Sequence, residues 1–222
     1  MRRRHLSLIV ALLLVFGFAC QVAANENPGF RRPTYFGPMT PAEKAFAASI
    51  ATDLQARFPT AADAVKAGYV RYTGVDDTGA ISYANGQWQS SDLKHPSQLW
   101  YSKRGKLLGA DFSRLKVGDT PPRLWGINPG RWWEFDRHMH YVTRNHRTGK
   151  VTYDLYVADD DFLNAGGSLA HPQAATLVKM HQVKYAKDVV TIFNFPALWD
   201  LIVWAVPNPK GAFAYKNPSV HA

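Results

Sequence analysis

A single cysteine, Cys20, is all the thiol chemistry this chain carries, and every residue after it is cysteine-free. Any domain built downstream therefore has no disulfide, no thiolate nucleophile and no cysteine-ligated metal. Long apolar runs are nearly as scarce. The run from Leu6 to Ala19 covers 14 residues, short of the ~20 that a spanning helix needs. The next most apolar stretch, Leu201 to Val206, has the length of a strand. Charge is also thin, at 19% of residues, and its basic members are scattered over Arg31-Arg32, Lys103-Arg104, Lys106 and Arg144 to Lys150. No helix carries a basic stripe and no nucleic-acid motif is present, so no specific nucleic-acid partner is expected.

Catalytic signatures are missing too. Ser90-Ser91, Ser102, Ser113 and Ser168 stand in no nucleophile-elbow pattern. Gly166-Gly167-Ser168 is not followed by the Lys-Ser/Thr of a phosphate loop. Asp159-Asp160-Asp161 lacks the alternating oxygen ligands and central glycine of a calcium loop. What is present, 46% hydrophobic residues among 222, suits one well-cored folded domain.

The first 24 residues read as a signal peptide. Met1-Arg2-Arg3-Arg4-His5 is a basic start, Leu6 to Ala19 the apolar middle, and Val22-Ala23-Ala24 a small-residue cleavage site. Their removal leaves 198 residues and takes three arginines but no acid, lowering the net charge from +9 to +6. Gly17-Phe18-Ala19-Cys20 permits a second version, cleavage before Cys20 with a lipid anchor on its thiol. Either way the protein is expected to be exported, periplasmic or secreted, or membrane-anchored as a lipoprotein.

Residues 25–39, rich in Pro, Gly, Asn and Arg, read as an extended arm, and 40–222 as a single α+β domain. Thr40-Pro41-Ala42-Glu43 is a capping box with proline at the first helical position. The helix runs to about Arg57, with Phe46, Ile50 and Leu54 as its buried stripe. Thr60 caps a second, short helix ended by Gly68. Strands are expected over 69–72, 80–84, 98–101, 106–112, 132–144, 150–158, 189–195 and 199–206, with one late helix over 173–183. Helices first and then mostly antiparallel strands define the α+β class.

The long hairpin 132–158 carries the most specific constellation. Strand alternation puts Asp136, His138 and His140 on one face, and the cross-strand pairing adds Thr152, Asp154 and Tyr156 to it. Two imidazoles with carboxylates are the ligand set of a divalent transition metal, or an acid–base pair near neutral pH. The competing reading is a half-exposed strand whose histidines bond to neighbouring acids. A second constellation is aromatic: Trp125, Arg131, Trp132 and Trp133, with Arg123 and Asn128, could form a platform for a sugar ring or flat ligand, or fill the core.

The tail Trp199 to Trp204, then Asn208-Pro209-Lys210-Gly211-Ala212-Phe213-Ala214 and Asn217-Pro218-Ser219-Val220, resembles the ending of a group of uncharacterised exported bacterial proteins. Leu99-Trp100-Tyr101 and Gly105-Lys106-Leu107-Leu108-Gly109 resemble the same group. The resemblance implies an exported bacterial domain and no activity. Where that group often has a histidine, this chain has Asp200 or Ile202.

Three functions remain open: a binding protein for a small molecule or metal, a metal-dependent enzyme using the same face, and a cell-envelope module for glycan or lipid. The export reading is tested by intact mass of the protein recovered from a bacterial envelope fraction. Cleavage after Ala24 is expected, leaving Asn25 as the first residue, whereas a lipidated Cys20 would add the mass of its acyl chains.

Overall fold

Burial of two sheet faces, not helix propensity, organises the chain. The computed structural model describes residues 30–88 and 92–220. The signal segment, Cys20, residues 25–29 of the arm, and Ser90-Ser91 lie outside the described residues. In chain order the elements are β1 (Phe30–Arg31), α1 (Pro41–Arg57), α2 (Ala61–Lys66), β2 (Val70–Arg71), β3 (Ile81–Ala84), β4 (Gln98–Tyr101) and β5 (Leu107–Leu115). They continue with β6 (Trp133–Phe135), β7 (His138–Arg144), β8 (Val151–Ala158), α3 (Asp159–Asn164), α4 (Ala174–Lys179), β9 (Val189–Phe195) and β10 (Leu198–Trp204).

The class is α+β in a single, strand-dominated domain. Seven strands form an antiparallel sheet in the order β1-β6-β10-β5-β4-β3-β2, and three form a second in the order β8-β7-β9. Central β10 is buried along its whole length. Its alternation sends Trp199, Leu201 and Val203 into a core with Ile50 and Leu54 of α1. Ile202 and Trp204 pack on the opposite face with Trp100 and Trp133. The tail folds back there, accepting hydrogen bonds from the Trp204 amide at the Ala212 carbonyl (2.8 Å) and from Trp204 Nε1 at the Ala214 carbonyl (2.6 Å). In the second sheet Met139, Tyr141 and Val157 meet Phe162 of α3 and Leu177 of α4. Val142 and Phe195 turn the other way, toward Tyr72, Ala84 and Leu198.

The capping box forms as expected. Thr40 Oγ1 accepts from the Glu43 amide (3.1 Å) and the Glu43 carboxylate from the Thr40 amide (2.9 Å). Glu43 also lies in the buried stripe, 0% exposed, where Arg131 Nε donates to it at 2.7 Å and the Asn128 amide at 3.1 Å. Arg131 Nη2 also donates to the carbonyls of Gly37 and Pro38 in the arm. One carboxylate thus ties the helix start to the 128–131 turn, and its partner Arg131 holds the arm.

Two expectations need correction. The strand proposed over 132–144 is two strands in different sheets, β6 and β7, separated by a break at Asp136-Arg137. The break is matched at Pro196-Ala197 between β9 and β10. Pairing keeps the same register on both sides of it, Phe135 opposite Leu198 in one sheet and His138 opposite Phe195 in the other. β6–β7 and β9–β10 are therefore one antiparallel ribbon, bent so that each half joins a different sheet. Proline fits the bend because it donates no ladder hydrogen bond. The late helix expected over 173–183 is the shorter α4, and a helix that was not expected, α3, opens at Asp159-Asp160-Asp161. The arm contains β1, which pairs with β6. Among the described residues no helix is long and apolar enough to cross a membrane.

Burial raises the Glu43 pKa, but the Arg131 hydrogen bond and the Thr40 and Asn128 amides outweigh it, bringing it from 4.5 to about 2. A depressed carboxylate pKa stabilises the fold above the unfolded value, and that contribution is lost as pH falls from about 4.5 to about 2. Glu43→Ala leaves Arg131 buried without its counter-charge and is expected to cost about 3–5 kcal/mol at pH 7. Urea unfolding checks this, and the loss relative to wild type should shrink as the pH approaches 2.

Candidate functional site

The bend in the ribbon brings two polar faces together. On β7, alternation aims His138 and His140 to the side away from α3 and α4, beside Phe193 and Phe195 of β9 and Tyr156 of β8. From the larger sheet come Leu198 and Asp200 of β10 and Gln98 of β4. Tyr72, just past β2, completes the set. Tyr72, Gln98, His138, His140 and Asp200, with apolar walls from Phe135, Phe195 and Leu198, line a cavity of about 60 Å³.

A run of buried polar groups leads into it. Ser113 Oγ donates to Asp200 Oδ1 (2.7 Å) and lies 2.6 Å from Ser97 Oγ, which donates to the Asp111 carbonyl at 3.0 Å. Asp111 stands diagonally from Asp200, since Asp200 faces Ser113 and Ile202 faces Asp111 in the β5–β10 register. Trp100 Nε1 donates to Asp111 Oδ2 (3.0 Å), whereas Asp111 Oδ1 is buried with no partner. The Tyr72 hydroxyl donates to Gln98 Oε1, and its ring meets the His140 ring edge-on at 4.8 Å.

Burial drives every ionisable group here toward its neutral form. It pushes the Asp200 carboxyl up to about 7 against the opposing Ser113 hydrogen bond. Burial, reinforced by Asp200, holds Asp111 well above the carboxylate range. Burial lowers His138, partly countered by the Asp136 carbonyl, and burial plus the adjacent His138 takes His140 well below 6.5. His138 Nδ1 lies 2.7 Å from the Asp136 carbonyl oxygen. A carbonyl only accepts, so Nδ1 carries the proton and the neutral ring keeps its lone pair on Nε2. His140 Nδ1 is buried without a partner.

The proposed ligand set is thus only half assembled. His138 and His140 stand together, ring centroids 4.7 Å apart. Asp136 falls in the bend, exposed, and serves His138 only through its backbone. Asp154 sits at a bulge where the β7–β8 register slips between Tyr141 and Thr143. There it adopts φ +60 and its carboxylate accepts from the Gly74 amide at 2.8 Å. Among the described residues no three His, Cys, Asp or Glu side chains come together as a metal-binding group.

The aromatic platform is dispersed as well. Trp132 and Trp133 are 2% and 3% exposed and point to opposite faces of the larger sheet. Trp125 packs on Phe46 and Trp132 at 5.8 Å each, and Arg131 is held by Glu43. These side chains fill the core in place of presenting a flat surface. Asp200, Asp111, Gln98 and Tyr72 escaped the sequence reading, since they come from strands remote in the chain. The one available signal was a carboxylate inside each of two otherwise apolar strands, Leu107 to Phe112 and Leu198 to Trp204.

Opposite pH slopes follow. Asp200 binds its proton more tightly folded, near 7, than unfolded, near 3.8, so its contribution to stability declines as pH rises between those values. The histidines act in reverse, and their contribution declines as pH falls below 6.5. Asp200→Asn is expected to stabilise the protein at pH 8 relative to wild type and to lose that advantage toward pH 4. Urea midpoints across the range check this, and equal midpoint shifts at both ends would contradict it.

No protein-family model, no curated protein and no solved structure matches this chain.

Proposed function

We propose that the protein is an exported binding protein that takes a small cationic or hydrogen-bond-donating ligand into the cavity between its two sheets. The observation that carries this reading is the polarity of the lining. His138 presents a fixed lone pair at Nε2, Asp200 presents a carboxyl, and neither lysine nor arginine is among the lining residues. An anion entering there would lose its hydration and meet no counter-charge. A cation or donor meets acceptors, and the electron-rich rings of Tyr72, Phe135 and Phe195 line the same space. The size, about 60 Å³, admits a small molecule or the end group of a larger one. Export rests on the basic and apolar pattern of the first 24 residues.

Methylammonium is the primary probe, followed by NMR of the His138 and His140 imidazoles, with acetate as the anionic control and Zn²⁺ as a separate titration. Bound positive charge holds Asp200 ionised, so methylammonium affinity should rise as pH increases through about 7. Asp200→Asn should weaken it about tenfold or more. Saturation by Zn²⁺ alone, lost in the His138→Ala/His140→Ala variant, would identify the cation as a metal recruited by the imidazoles. Imidazole signals indifferent to both cations, or responding equally to acetate, would overturn the reading.

A further inference from the structure

The second sheet has a different character at the end far from the cavity. There the β7–β8 turn, residues 145–150, meets the segment 180–188 that leads from α4 into β9. Their charges are almost all of one sign. Arg144, Arg147, Lys150, Lys184 and Lys187 are exposed, and the nearby acid Asp188 is taken up by His146, whose Nδ1 lies 2.7 Å from Asp188 Oδ1 and whose amide donates to it at 3.2 Å.

These contacts also give the region a defined shape. The His146–Asp188 pair fastens the turn to the opposite segment, and Asn145 Oδ1 orders the turn by accepting from the amides of Arg147 (2.9 Å) and Thr148 (3.0 Å). Tyr141 Oη donates to Gln182 Oε1 at 3.4 Å across the floor. The result is a cup of about 250 Å³ in which Lys150 and Lys184 approach from separate segments. Thr143 and Thr152, direct cross-strand partners, bring two hydroxyls side by side within it, and Thr148 adds a third at the rim.

We propose that this cup binds a phosphate group, as a phosphomonoester or phosphodiester. Lys150 and Lys184, both in the lining, supply the positive charge, and the threonine hydroxyls supply further donors to the phosphate oxygens. Asp188, the one acid in the lining, is turned to His146. The volume leaves room for the group that the phosphate esterifies. This site shares no residue with the inter-sheet cavity, so either can fail without the other.

Amide NMR of the mature protein at low ionic strength tests it, with glycerol 3-phosphate as probe and sodium chloride of equal ionic strength as control. Saturable shifts confined to residues 143–152 and 182–188 are expected. K150Q/K184Q should weaken binding about tenfold or more with an unchanged urea midpoint, since both lysines are exposed. Co-sedimentation with phosphatidylglycerol vesicles but not phosphatidylcholine vesicles, lost in the variant, would place the phosphate on a lipid headgroup. Binding of the soluble ester without vesicle capture would make it a free phosphorylated molecule. Shifts that never saturate, that chloride reproduces, or that persist at wild-type affinity in K150Q/K184Q would overturn the proposal.

Discussion

Everything distinctive in this molecule depends on one ribbon whose register carries through a bend while its direction changes. β6–β7 pairs with β9–β10 from Asp200 opposite Trp133 to Val142 opposite Thr191, yet the ribbon belongs to the larger sheet at one end and the smaller at the other. Both strands bend at the same level, at Asp136-Arg137 and Pro196-Ala197. Pairing fixes which side chains oppose each other, and the bend folds one face onto itself. His138 and His140 therefore look toward Asp200, which follows Phe195 by only five residues in sequence but sits in the other sheet.

The polar groups gathered there are costly to bury, and their chemistry follows from that cost. Neither sheet supplies a lysine or arginine to the cavity, so the carboxyls hold protons near neutral pH and the imidazoles shed theirs. A different solution operates at Glu43. It is as buried as Asp200, but Arg131 and two amides keep it ionised to about pH 2. The contrast separates two uses of a buried carboxylate. Paired, it ties helix to turn; with no cation beside it, it holds a proton up to about pH 7.

Local features were legible in the sequence where a few adjacent residues decide the outcome. The capping box at Thr40 to Glu43, the second cap at Thr60 and the strands 98–101 and 189–195 are set by neighbouring residues and formed as expected. The pairing of His140 with Tyr156 followed from alternation and turn length. Asp154 did not, because a bulge inserts one residue and turns its carboxylate to Gly74. The bend at 136–137 was also hidden, since a strand leaving one sheet for another keeps the same alternating pattern. For Trp132 and Trp133 alternation was decisive in the other direction, sending them to opposite faces of the sheet.

By itself the sequence determined the fold class, the capped starts of α1 and α2, most strand positions and the placing of two histidines on one strand face, because each is encoded largely by nearby residues. Only the tertiary structure decided that Asp200, Asp111, Gln98 and Tyr72 complete that face. Those residues come from four segments spread over some 130 positions, and no local spacing relates them. Their meeting is a consequence of strand order and of a bend, and both arise from how the sheets bury their faces against each other.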